Sequence, residues 1–80
     1  MMRVKHPKTV VTFSSTSDAM AMEAAARMHG LPGRIIPVPS EIDAGCGLAW
    51  SADAGERDIL MAGIEQYGLS YEGVFEVMMY

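Results

Sequence analysis

Arg34-Ile35-Ile36-Pro37-Val38 decides the fold. Consecutive β-branched residues describe a strand, yet Pro37 has no amide hydrogen to give to a ladder, so the strand belongs at a sheet edge. Working backwards, Gly30 is a left-handed helix stop and Pro32 forbids continuation. They end a helix over Ala19 to Met28, mostly Ala and Met, with Glu23 and Arg27 four apart as an exposed ion pair. Its start is marked by hydroxyls: Ser15 or Ser17 can accept from the free amides of the first turn, and Asp18 suits the helix dipole there. Before them, Thr9-Val10-Val11-Thr12-Phe13 is β-branched and aromatic, a first strand.

Working forwards, Pro39 to Gly45 is a loop and Leu48-Ala49-Trp50 a short third strand. Asp53-Ala54-Gly55-Glu56 has capping-box spacing and opens a second helix. Its apolar stripe is Ile59, Leu60, Gly63, Ile64 and Tyr67, ended by Gly68. Tyr71 to Tyr80 supplies the last strand through Val74, Phe75 and Val77. The succession strand, helix, strand, strand, helix, strand reads as an α+β, ferredoxin-like βαββαβ sandwich. Its four-stranded antiparallel sheet has order 4-1-3-2, with both helices on one face. That order sets the second strand at an edge, where Pro37 is tolerated. The other sheet face is expected to be partly open, a surface suited to a homodimer or another partner.

Residues 1–80 fit a single domain, with an ordered core over about 8–79 and a flexible basic N-terminus over 1–7. Half the residues are apolar and a fifth charged, a composition that folds rather than stays disordered. The net charge of −4 is uneven: Arg3, Lys5 and Lys8 lie at the N-terminus, whereas eight acids from Glu41 onward face only Arg57. Such a body repels phosphate backbones, which excludes nucleic acid as an expected partner. No apolar run approaches the roughly 18 residues of a membrane helix. Val10-Val11-Thr12-Phe13 is also too short for a signal-peptide core, so no membrane partner is expected and the cytoplasm is the expected compartment. One cysteine, with His6 and His29 at unrelated spacings, does not make a zinc site, and neither metal nor cofactor is indicated.

Covalent chemistry concentrates at Cys46 in Gly45-Cys46-Gly47. Flanking glycines remove steric cover and permit positive φ, so backbone amides can turn towards the sulfur. An ordinary free thiol is only about 3% ionised at pH 7, and raising that to half requires roughly 2 kcal/mol of local stabilisation. Glu41 and Asp43 would oppose ionisation if they faced the sulfur, while Arg34, His29 or a helix N-terminus would assist it. Against a reactive role stands the ordinary one: a lone cysteine usually packs as a small hydrophobe, and the glycines serve equally as turn or bulge residues. Pro37, Pro39, Glu41, Gly45 and Gly47 are the residues that would shape and support the loop. Ser15, Thr16 and Ser17 form a candidate anion site at the helix start, with plain capping as the simpler explanation. The eight methionines, Trp50 and the tyrosines read as packing material, and Ser40 lacks a nucleophile elbow.

The chain resembles the selenium/sulfur carrier protein-like family of small bacterial and archaeal domains. The matching stretches are Phe13-Ser14-Ser15-Thr16-Ser17-Asp18-Ala19 leading to Glu23, then Ile36-Pro37-Val38-Pro39, and Gly45-Cys46-Gly47-Leu48-Ala49. The resemblance implies that Cys46 carries sulfur or selenium as a persulfide or selenosulfide, between donor and acceptor proteins. This chain departs from the pattern near position 40, where Ser40 and Glu41 replace a basic residue. A carrier or accessory protein is therefore expected rather than a stand-alone enzyme. The alternative is a non-enzymatic dimeric interaction or small-molecule-binding regulatory module whose cysteine is structural.

Overall fold

A computed structural model describes residues 4–43 and 45–79. Arg3 of the basic N-terminus, Ala44 of the loop and Tyr80 of the last strand lie outside the described residues. The chain runs β1 (His6–Thr12), α1 (Thr16–His29), β2 (Arg34–Pro37), β3 (Leu48–Asp53), a 3-10 turn (Ala54–Glu56), α2 (Arg57–Gln66) and β4 (Gly73–Met79). The strands form one antiparallel α+β sheet with order β2-β3-β1-β4. Read from the β4 edge this is 4-1-3-2, and Pro37 sits on an outer strand. β1 reaches back to His6, two residues into the segment expected to be a tail, because His6 and Pro7 pair with Met79 and Met78.

Alternation along the strands divides the apolar residues between two faces. Val11, Trp50 and Val74 face the helices and pack with Phe13, Met22, Leu60 and Ile64 into the main core. α1 is held at both ends by the residues the sequence marks. The Asp18 amide donates to Ser15 Oγ at 3.2 Å, and Gly30 takes the left-handed conformation (φ 70°) while its N–H donates to Ala26 O at 2.8 Å. The expected Glu23–Arg27 pair is a loose surface contact at 3.9 Å. Such a contact contributes little. The two helices meet at their C-terminal ends: His29 stacks on Tyr67 with ring centroids 3.8 Å apart, and Leu31 packs against Gly63.

Two expectations for α2 require correction. Asp53 makes no side-chain cap bond. Opposite Lys8 in the β1–β3 register, its carboxylate bonds the Lys8 ammonium instead, a stronger charge-assisted partner than an amide. Ile59 is 62% exposed and lies outside the buried stripe, which consists of Leu60, Gly63 and Ile64. The second face of the sheet is open at Phe75, 42% exposed, and covered at its centre. Val10 and Ala49 are fully buried there, packed with Val77 against Ile36, Val38, Ile42 and Met79. The β2–β3 loop thus folds Val38 and Ile42 over this face. Among the described residues, no helix is long and apolar enough to cross a membrane.

Candidate functional site

Cys46 lies in that β2–β3 loop, and the loop is closed by the backbone. The Val38 amide donates to Gly47 O at 3.1 Å, and the Ile42 amide turns back to Pro39 O at 3.0 Å. Pro37 ends β2 just before this closure, so the chain leaves the ladder where it can no longer donate to it. Pro39 supplies the carbonyl of the inner turn, and Glu41 accepts the Ser40 hydroxyl at 3.2 Å, which fixes its exposed carboxylate beside the loop backbone. With Val38 and Ile42 anchored on the sheet, the following Gly45-Cys46-Gly47 is carried to the end of the sheet where β1 stops and α1 starts. A Cβ added to Gly45 would come 3.9 Å from Ser14 O.

Gly47 takes positive φ (79°) with open space around it. The left-handed step at Gly47 turns the chain from Cys46 into β3. Cys46 itself is partly buried, its side chain packed against the main core, and its thiol donates to Leu48 O at 3.4 Å. The expected arrangement had amides donating to sulfur. The observed contact has the opposite polarity: the thiol donates to a carbonyl two residues on. This bond exists only while sulfur holds its proton, so ionisation must break it.

Neither sequence-proposed cation assists Cys46. His29 is engaged with Tyr67, and Arg34 starts β2 opposite Ser51, at the other end of the strand from the loop. Arg34 lines a cleft of about 300 Å³ there, with Lys8, Ser51 and Asp53. Asp18, Glu41, Asp43 and Glu72 lie on segments at the Cys46 end, where the Glu72 amide donates to Thr12 O at 2.7 Å, while at the far end Lys8, Arg34 and Arg57 stand among Asp53, Glu56 and Asp58. The hydroxyls at the α1 start share the Cys46 end but are largely committed: Ser15 caps Asp18, Ser14 donates to the Asp18 carboxylate at 3.4 Å, and Thr16 and Ser17 are exposed. Among the described residues, no group of three or more His, Cys, Asp or Glu could hold a metal ion.

Sequence reasoning missed the Leu48 carbonyl as the thiol's acceptor, and Val38 and Ile42 as the loop's anchors. Ile42 carried a usable signal, being an apolar residue set between Glu41 and Asp43 in a loop that had no other reason to hold it. A family model described as "Putative Se/S carrier protein-like" matches residues 8–76, which include all four strands in whole or part, both helices and the Cys46 loop. No curated protein and no solved structure matches the chain.

Proposed function

The chain belongs to the Se/S carrier protein-like family, and from that membership we propose that it is a sulfur or selenium carrier whose acceptor atom is Cys46 Sγ. The supporting observation is position: the one cysteine of the chain sits in an exposed-glycine turn at the end of the sheet, partly open to solvent, on a loop anchored by Val38 and Ile42. In the loading step the thiol gives its proton to solvent and its bond to Leu48 O is lost. The thiolate then attacks the outer sulfur of a donor persulfide. A new S–S bond forms on Cys46 as the donor's S–S bond breaks, and the donor leaves as a thiolate. For selenium the attacked atom is the outer selenium of a sulfur-bound selenide. Unloading repeats the exchange, an acceptor nucleophile taking the outer atom and Cys46 leaving as thiolate, so no external oxidant or reductant is consumed. The acids Glu41 and Asp43 favour partners with a basic rim around their own reactive atom. In this reading the scaffold is a ferredoxin-like βαββαβ sandwich, supported by its order of elements and strands, and it works in the cytoplasm, where reducing conditions keep Cys46 from idle oxidation.

A second reading, a binding module with a structural cysteine, draws on the Leu48 bond and the packing of Cys46 against the core. Alkylation separates the two. The carrier reading expects iodoacetamide to modify the native protein at pH 7 at a rate within about tenfold of the unfolded chain. A thiol that reacts only after denaturation would overturn it.

A further inference from the structure

The two edges of the sheet are defended differently. β2 is four residues long and ends in Pro37, both devices that discourage a further strand. β4 is seven residues long and has neither proline nor lysine, and its register with β1 runs unbroken from Gly73 opposite Thr12 to Met79 opposite His6. Its outer side therefore offers a straight row of backbone donors and acceptors. Exposed apolar side chains flank that row on both faces of the sheet. Phe75, 42% exposed, shares a face with Val10 and Val77, and Met78, 53% exposed, shares the helix face with Val74.

We propose that β4 pairs antiparallel with β4 of a second copy of this chain, joining the two sheets into one of eight strands. The occupant follows from the register that β4 permits with itself. A two-fold axis perpendicular to a continuous sheet requires one residue to face its own counterpart, since partners must point to the same face. Centring on Glu76 sets two carboxylates opposite each other, and centring on Val74 sets Glu76 opposite Glu72 of the second copy; both are unfavourable. Centring on Val77 leaves exposed Tyr71 beyond the paired segment. Centring on Phe75 faces the exposed ring with its own copy, sets Glu76 opposite Val74 and Glu72 opposite Met78, and brings Tyr71 opposite Met79. No acid then meets an acid, and on the Phe75 face the exposed apolar groups gain partners. The Cys46 loops, joining β2 to β3 on the far side of each sheet, stay clear of this junction.

Sedimentation velocity on the full chain, from about 10 μM to about 1 mM, tests the pairing. The wild type is expected to be a dimer in this range. Phe75→Glu is expected to raise the dissociation constant at least about tenfold, because it sets two like charges at the axis. Its circular dichroism should match the wild type, since Phe75 lies outside the buried core. Register is read in a Cys46→Ser background: Phe75→Cys should form an interchain disulfide on mild oxidation. Glu76→Cys should not, because two such residues would lie beyond the roughly 7 Å Cα separation a disulfide spans. A wild type that stays monomeric at the highest concentration overturns the proposal. So does a dimer indifferent to Phe75→Glu, or cross-linking at 76 in preference to 75.

Discussion

Gly33→Ala tests how tightly the α1–β2 connection is built against β3. Gly33 has φ of +109°, and a Cβ there would fall 2.5 Å from Ser51 O and inside the contact distance of Trp50 Nε1. The backbone conformation alone costs an L-residue about 1–2 kcal/mol. The indole cannot retreat freely either, because Trp50 is 3% exposed and its Nε1–H donates to Pro32 O at 2.8 Å. Displacing it leaves a buried donor unpaired, for about 1–3 kcal/mol more. The expected loss is therefore about 2–5 kcal/mol, a large part of the stability of so small a domain. Gly30→Ala supplies the comparison, since it also imposes positive φ (+70°) but meets nothing within 4 Å, so only the conformational part applies. Urea unfolding followed by the fluorescence of Trp50, the one tryptophan, measures both variants. Gly33→Ala should lower the midpoint clearly further than Gly30→Ala at unchanged slope. Equal shifts for the two variants would refute the close approach to Trp50 and Ser51.

Three further outcomes follow from single contacts. Leu60→Ala should cost about 2–4 kcal/mol, whereas Ile59→Ala should stay within about 0.5 kcal/mol of wild type in the same urea titration. A comparable loss at both would contradict the exposure of Ile59. Thr9 Oγ1 is buried without a hydrogen-bond partner, so Thr9→Val should leave the melting temperature equal or higher, and a marked fall would mean that the hydroxyl is satisfied. The hydrogen bond and charge of Lys8, with a smaller contribution from His6, hold the Asp53 carboxyl below its ordinary value of 3.8. An unfolded chain then takes up the proton first as pH falls. The pair's stabilisation is thus complete above that ordinary value and lost as pH drops through the lower folded one. Melting curves of wild type and Lys8→Met should differ at pH 6 and draw together as the pH falls below 3.8. A gap that widens on acidification would contradict the pairing.

What the sequence disclosed was mostly local. Ser15, Gly30 and Pro37 act through their own backbone geometry, and each stands where its chemistry alone would place it: at a helix start, a helix end and a sheet edge. The misreadings around α2 depend on what the rest of the fold sets beside it. Asp53 has the spacing of a cap, but the β1–β3 register brings Lys8 to it. Ile59 fits a helical stripe, but α2 is turned so that Leu60, Gly63 and Ile64 face the core. At the site, Cys46 and its glycines were legible as a turn, whereas the direction of the thiol was not. That direction depends on the backbone path through Gly47, which brings the Leu48 carbonyl close and which composition does not encode.

As a carrier, Cys46 is to accept a single chalcogen atom. Intact mass spectrometry after incubation of the full chain with a cysteine desulfurase and cysteine tests it directly. The wild type is expected to gain one sulfur atom, removed by a thiol reductant and absent in Cys46→Ala. A wild-type mass that does not change while the desulfurase is demonstrably turning over, or a gain that persists in Cys46→Ala, would contradict it.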